Sequence, residues 1–246
     1  MMEQTWIILG ASSTMARALM QKLAEEGAGL VLAGRRMDDL QASACDALAR
    51  GAVLAEPVAF DARRPDSFQP VIDLALKQPG QINCAVFVGS MPPQAEIDAD
   101  PGLLDGVIAD SFTGPARFLQ MLAPHLEDRG SGIVVGVGSV AGDRGRIGNY
   151  VYGGAKGGFA TYLSGLRNRL GRSGVHVLTI KPGPVDTAMT QDMEDLPFMT
   201  TAEAVADDIL AGIKRGRNVL YTRRIWWPIM MVIRAIPEPI FKKMSI

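Results

Sequence analysis

The feature that most constrains the fold is the alternation of short apolar runs with longer amphipathic stretches along the whole chain. Apolar runs joined by helical segments are typical of a parallel sheet that is buried on both faces. We therefore predict one doubly wound α/β domain with a seven-stranded, mostly parallel sheet and helices on both faces. The predicted strands are Trp6–Leu9, Leu30–Ala33, Val53–Phe60, Cys84–Val88, Gly132–Val137, His176–Lys181 and Val219–Tyr221.

Composition and charge exclude several classes of protein. The chain has 246 residues, 48% hydrophobic and 21% charged, which excludes a disordered or fibrous chain. A net charge of -1 gives no general attraction for nucleic acid, so we expect no such partner. Cys45 and Cys84 form no CxxC motif, and His125 and His176 are far apart in sequence with no carboxylate or cysteine at ligand spacing, so we expect buried thiols and no metal site. The acidic Glu3 stands where a signal peptide is basic, and we expect a cytoplasmic protein.

The first predicted strand ends in the turn GASSTMA, residues 10–16, and a helix follows at once. Such a turn points backbone N–H groups and the positive end of a helix dipole at a bound anion. Gly10 permits the tight turn, Ser12 and Ser13 add hydroxyl donors, and Ala16 lets helix and strand pack closely. The pyrophosphate of a dinucleotide would fit this Rossmann-type turn, although the same residues also make an ordinary helix N-cap.

The second predicted strand ends in VLAGRR, with Arg35 and no acid. In dinucleotide-binding folds a carboxylate at this strand end accepts from the ribose 2′-OH, whereas an arginine pairs with a 2′-phosphate. The sequence thus favours NADP over NAD. The alternative is that Arg35 and Arg36 only cap the strand in solvent.

Ser139, Tyr152 and Lys156 form the most specific pattern. Tyr152 and Lys156 are four residues apart in YGGAK, so both side chains would leave one face of a helix. An ammonium group beside a phenol favours the phenolate, and we expect it to lower the tyrosine pKa toward neutrality. Ser139, at a strand end, could donate to the same substrate oxygen. The trio would make a site that reduces a carbonyl group.

These motifs, with PGPVDT from Pro182, resemble in order and spacing the short-chain dehydrogenase/reductase family over roughly residues 4–213. The resemblance implies that Tyr152 is the catalytic acid/base, that Lys156 tunes it and holds the nicotinamide ribose, and that Ser139 orients the carbonyl. It also implies a homodimer through the helices around Tyr152 and Phe112. The residues that it places around NADP are Gly10, Ser12, Ser13, Thr14, Met15, Arg35, Asp61, Gly89, Tyr152, Lys156, Pro182, Gly183, Val185 and Thr187.

The chain departs from the family pattern at four places. Two glycines of the first loop are replaced by Thr14 and Ala16, and FVGS keeps only Gly89 of the usual Asn-Asn-Ala-Gly. Ser111 stands where the family has an asparagine that bends a helix and holds a water, and we include Ser111 among the candidate catalytic residues. A different segment replaces the usual C-terminal strand.

That segment, residues 223–246, is predicted as a basic, apolar helical tail on the catalytic domain of residues 1–222 and not as an independent domain. From Lys214 to Ile246 eight basic residues accompany one acid, so this part carries +7 and the remainder -8. The nine uncharged residues at 225–233 are too few to cross a bilayer, which takes about 20. Trp226, Trp227 and the flanking basic residues suit a membrane surface. An apolar helix that folds over the active site or into a dimer interface is the alternative.

A Met-rich stretch occupies the place of the family's substrate lid. Such residues adapt to greasy ligands, or simply fill gaps in a core. The altered glycine loop, Arg35 and the basic, tryptophan-rich tail together resemble the reductases that act on lipid-linked sugars, such as the decaprenylphosphoryl-2-keto-pentose reductases. The leading hypothesis is an NADPH-dependent reductase of a hydrophobic or lipid-linked ketone, and the alternatives are a catalytically weak NADP-binding sensor and a membrane-docked scaffold. The stretch contains Met189, Met193, Leu196, Phe198 and Met199.

Overall fold

A computed structural model describes residues 3–191 and 196–245 and contains one seven-stranded sheet, which confirms the predicted fold class. The spatial order of the strands is β3-β2-β1-β4-β5-β6-β7, and every neighbouring pair is parallel. The chain winds outward from β1 in both directions, so the order reverses between β1 and β4. The strands are β1 Gln4–Leu9, β2 Gly29–Gly34, β3 Leu54–Ala59, β4 Gln81–Val86, β5 Ile133–Val137, β6 His176–Pro182 and β7 Val219–Thr222.

All seven predicted strands form, with shifts at their ends. The largest shift is in β4, which begins at Gln81 and stops before Phe87 and Val88. The last pair between β4 and β5 joins Val86 to Gly136, after which the chain leaves the sheet. Phe87 and Val88 are thus apolar because they line a crevice at the carboxyl ends of the strands, and not because they continue the strand.

Helices cover both faces of the sheet. One core lies between the sheet and α1, α2 and α8, and includes Trp6, Leu19 and Ile209; the opposite core lies against α3, α6 and α7, and includes Phe68, Phe118 and Phe159. A π-helical turn, 109–113, separates α5 from α6. The helices are α1 Thr14–Glu25, α2 Met37–Arg50, α3 Phe68–Leu76, α4 Gln94–Ala99, α5 Leu103–Ile108, α6 Gly114–Arg129, α7 Tyr150–Leu170, α8 Ala202–Lys214, α9 Trp226–Ala235 and α10 Glu238–Phe241.

The two cysteines lie in different environments. Cys84 is buried in β4, and burial raises the pKa of its thiol. Cys45 is exposed on α2, so the expectation that both thiols are buried was wrong for this residue. The reason is its position on α2, where Ala44 and Ala47 supply the buried face. Among the described residues no group of three or more His, Cys, Asp and Glu side chains could hold a metal ion.

Candidate active site

A crevice opens at the carboxyl ends of the strands where the strand order reverses, the usual place for ligands in open α/β sheets. Its first half is a groove beside the turn between β1 and α1. Gly10 has φ +81°, and a Cβ there would lie 3.1 Å from both the backbone nitrogen and Cγ1 of Val88. Glycine is therefore required by backbone conformation and by space. No side chain caps the first turn of α1 at Ser13, which leaves backbone N–H groups available to an anion.

This groove brings together six of the residues expected around the cofactor. Arg35 is exposed at its edge, while the neighbouring Arg36 is paired with Asp39 at 2.6 Å. Arg35 makes no salt bridge with any described residue. Asp61 Oδ1 accepts from the N–H of Arg63 at 2.9 Å, which fixes the carboxylate at the end of β3. The six residues are Gly10, Ser12, Ser13, Arg35, Asp61 and Gly89.

The open helix end, the close approach at Gly10 and the unpaired guanidinium fit a phosphorylated dinucleotide. Thr14 is the exception among the predicted residues of the turn. It begins α1 and lines a separate surface depression with Asp186 and Thr187. Met15 lies between the two halves of the crevice and lines the second half.

The second half is a cavity that contains the predicted catalytic trio, Ser139, Tyr152 and Lys156. Ser139 follows β5, and its Oγ accepts from the N–H of Ala141 at 3.1 Å, which holds the side chain at the start of a 3₁₀ turn. Tyr152 and Lys156 lie in the first two turns of α7 and are both buried. Lys156 Nζ donates to the carbonyl oxygens of Val137 at 2.9 Å and Val88 at 3.3 Å.

The electrostatics differ from the sequence-based expectation. Burial raises the pKa of Tyr152 to about 12, and the hydrogen bond with Ser139 offsets only part of this effect. Burial also lowers the pKa of Lys156 to about 8. The expected lowering of the Tyr152 pKa by Lys156 was therefore wrong for the protein alone. The ammonium group is 5.9 Å from the centre of the tyrosine ring and binds backbone carbonyls, so desolvation outweighs its attraction for a phenolate.

Ser111 lies in the π-helical turn that follows α5 and is fully buried. Its Oγ accepts from the N–H of Ser90 at 3.2 Å and donates to the carbonyl of Ser90 at 3.3 Å. A Cβ on Gly89 would lie 3.1 Å from Lys156 Nζ and 3.4 Å from Ser111 Oγ. Gly89 thus lies between the buried hydroxyl group of Ser111 and the ammonium group of Lys156. Ser111 is therefore behind the cavity wall and does not line the cavity.

The segment after β6 forms the opposite wall of the cavity with Pro182, Gly183, Val185 and Thr187. A Cβ on Gly183 would lie only 2.0 Å from Nε1 of Trp226. Because Gly183 has no side chain, the indole ring of Trp226 in the C-terminal tail can pack against this wall of the cavity.

Trp226 was not among the predicted site residues, yet it lines the cavity. It is 6% exposed, packs with Met230 on Val140, and makes an edge-to-face contact with Phe198 at 6.0 Å between ring centres. The inner face of α9 therefore covers the cavity. The opposite face leaves Trp227 56% exposed, with Met231 and Val232 beside it.

Arg144 anchors the tail to the turn that follows Ser139. Its guanidinium donates to the carbonyl oxygens of Ile233 and Ile236, each at 2.7 Å, at the end of α9. The same group lies 3.6 Å from the ring centre of Phe241 and pairs with Glu238 at 2.9 Å. A single side chain thus satisfies helix-end carbonyls and holds α10.

Part of the Met-rich stretch reaches the cavity. Met189 and Leu196 line it, whereas Phe198 and Met199 do not. Met193 lies outside the described residues. None of the described helices combines the length and apolarity needed to cross a bilayer.

Comparison with known proteins places the chain in a family. The short chain dehydrogenase family model matches residues 4–196. An uncharacterized oxidoreductase of Mycobacterium tuberculosis is 31% identical over 239 residues, covering 97% of this chain and 96% of that protein. A short-chain dehydrogenase from Sphingobium yanoikuyae in complex with NADPH has the same fold, with a TM-score of 0.83 and 22% identity over 98% of this chain and 96% of that one. A Burkholderia cenocepacia short chain dehydrogenase in complex with NADP has a TM-score of 0.82 and 18% identity, over 98% and 97%. The chain belongs to the short-chain dehydrogenase family of NAD(P)-dependent oxidoreductases.

Proposed function

We propose that the protein uses NADPH to reduce a hydrophobic ketone to a secondary alcohol, or catalyses the reverse reaction. The observation that carries the proposal is the convergence of Ser139, Tyr152 and Lys156 on an apolar cavity that adjoins the groove at Gly10 through Gly89. In this proposal the groove holds the phosphates of the cofactor, and the cavity holds its nicotinamide end beside the ketone.

Different residues of the site would bind the cofactor and the substrate. The hydroxyl groups of Ser12 and Ser13 and the uncapped first turn of α1 would hold the pyrophosphate, Arg35 the 2′-phosphate, and Lys156 the nicotinamide ribose. When bound, NADPH supplies the hydride. Ser139 donates a hydrogen bond to the substrate oxygen as negative charge develops there.

Tyr152 supplies the proton. Its raised pKa keeps the phenol protonated at neutral pH, which suits the reductive direction. As the carbonyl oxygen gains negative charge it takes the proton from the phenol, and the charged Lys156 stabilises the tyrosinate that forms.

The walls of the cavity favour a hydrophobic substrate. Its lining beyond the trio is largely apolar and comes from several separate segments of the chain. We extend the proposal to a lipid-linked ketone, because α9 covers the cavity with its inner face and exposes apolar side chains on its outer face. The apolar residues are Met91, Val140, Met189, Leu196 and Trp226.

The outer face of the tail suits contact with an anionic membrane. Trp227, Met231 and Val232 are exposed together on α9, and the tail also carries Arg223, Arg224, Arg234, Lys242 and Lys243. Aromatic and basic residues in this arrangement bind the headgroup region. Sedimentation with vesicles tests this, with an anionic lipid and a zwitterionic one compared. Binding that is lost in Trp227→Ser and at high salt is expected, and equal recovery in the supernatant for both lipids would refute membrane contact.

The test of the reaction follows NADPH and NADH oxidation at neutral pH with 2-alkanones of rising chain length. Turnover should increase with chain length and fall by about 10²–10⁴ in Tyr152→Phe, which keeps the ring but removes the proton. The affinity of Tyr152→Phe for NADPH, measured by fluorescence titration, should remain close to that of the native protein. NADPH binding without turnover of any ketone would instead favour the catalytically weak NADP-binding sensor.

A further inference from the structure

Arg146 is a charged residue in the substrate cavity that the proposed chemistry does not use. It lies on the loop between the 3₁₀ turn after Ser139 and α7, and it lines the cavity together with Asn149 and Tyr152. Its Nε is buried and has no hydrogen-bond partner among the described residues, and none of their carboxylates forms a salt bridge with it. The Oδ1 of Asn149 is also buried without a partner.

The surroundings do not compensate this charge. Burial lowers the pKa of Arg146, and only the attraction of Asp143 opposes the effect. Asp143 is already engaged, since its carboxylate binds Lys181 and accepts from the hydroxyl of Tyr221 at 2.6 Å. An unpaired buried donor on a cation is unfavourable unless a ligand supplies the missing acceptor.

We propose that Arg146 binds an anionic group of the substrate, so that the preferred ketone carries a carboxylate or phosphate on its apolar body. This inference rests on the proposed function, because it deepens the substrate class of the same cavity. The amide of Asn149 can turn to present its NH₂ group to the same anion. The cofactor phosphates are not the ligand, because Arg146 lines the catalytic cavity and not the groove at Gly10.

The experiment measures binding without turnover. Calorimetry with the NADP⁺-loaded protein compares decanoate, decyl phosphate and the neutral decanamide, which share one apolar chain. We expect at least one of the two anions to bind about 10- to 100-fold more tightly than the amide, and Arg146→Gln to remove that advantage. Arg146→Lys should keep part of it. Arg172→Gln, which removes an exposed charge elsewhere, is the matched control and should change nothing.

Each result decides the question. Equal affinity for anion and amide, absence of binding by all three ligands, or an equal loss for anion and amide in Arg146→Gln would overturn the proposal. So would a loss confined to NADP⁺ affinity, which would assign Arg146 to the cofactor. Anion binding that depends on Arg146, in a protein that reduces no ketone, would leave this site intact while refuting the proposed reaction.

Kinetics supply a second readout if ketones are reduced. For 4-oxodecanoate and its methyl ester, Arg146→Gln should raise the KM of the acid about 10- to 100-fold and leave the ester within about 2-fold. A fall in kcat for both substrates with unchanged KM would contradict the assignment.

Discussion

Replacement of Trp226 by alanine tests whether the tail is part of the folded core. The residue is 6% exposed and packs between Gly183, Val140 and Phe198. An aromatic side chain that buries about 150–250 Å² contributes roughly 4–6 kcal/mol at about 25 cal/mol per Å². Large-to-small changes of this kind cost about 3–5 kcal/mol. Because one side of the ring borders the cavity and not packed atoms, we expect about 3 kcal/mol for Trp226→Ala.

For a chain of this length, that loss lowers the melting temperature by about 6–12 °C. Trp227→Ala is the matched control, since its ring is 56% exposed and its loss should change stability by less than about 0.5 kcal/mol. Differential scanning fluorimetry gives both values. Limited trypsin digestion should also show faster cleavage after Arg223 and Arg224 in Trp226→Ala alone. Equal melting temperatures for the two variants would refute the reasoning that α9 packs over the cavity.

Three further outcomes follow from named contacts. Above pH 8 the free energy of unfolding of the native protein should rise relative to that of Lys156→Met by up to about 1.4 kcal/mol per pH unit. The reason is that Lys156 loses its proton near pH 8 in the folded protein, whereas in the unfolded chain it keeps the proton up to pH 10.5. Melting curves between pH 7 and 9.5 measure this, and a constant difference would contradict the assigned burial of the charge. Arg144→Gln should weaken the attachment of the tail by about 1–2 kcal/mol, seen as faster amide hydrogen exchange over residues 231–241; unchanged exchange would show that the apolar contacts suffice. Arg35→Ser should reduce kcat/KM for NADPH about 10- to 100-fold and leave NADH within about 3-fold, and an equal loss for both cofactors would remove the assigned 2′-phosphate contact.

The sequence predicts the fold well because its clearest pattern, the series of apolar runs, marks the side chains whose burial does most to stabilise the fold. Buried strands must be apolar on both faces, and the five central strands meet that requirement, whereas the edge strands β3 and β7 are only partly buried. Strand ends are less certain, since the apolar Phe87 serves a crevice wall and not a strand. The grouping of Ser139, Tyr152 and Lys156 follows from helical spacing and the end of a strand.

Other parts of the site could not be predicted from spacing. Nothing in the order of residues indicates that Trp226 meets Gly183, because the contact joins two segments whose approach depends on the whole fold. Similarly, no residue near Arg146 in the sequence indicates that its side chain lines a cavity and is not a solvated surface charge. The pKa of Tyr152 also needs the structure, since it is raised by the burial of the phenol in the folded protein. The sequence left open whether the tail lies on a membrane surface, over the active site or in a dimer interface; the inner face of α9 lies over the cavity, and its outer face is exposed.

Arg144 contacts both the end of α9 and α10, so we expect its conservation to depend on the presence of these two helices. A guanidinium that closes the last turn of α9 and stacks on Phe241 is useful only while that segment exists. Lineages that shorten the C-terminus should lose the arginine, and those that retain it should keep an aromatic ring at the position of Phe241. Correlated substitution at positions 144 and 241, read from an alignment, would mark the members that inherited the catalytic domain and its cover as one unit.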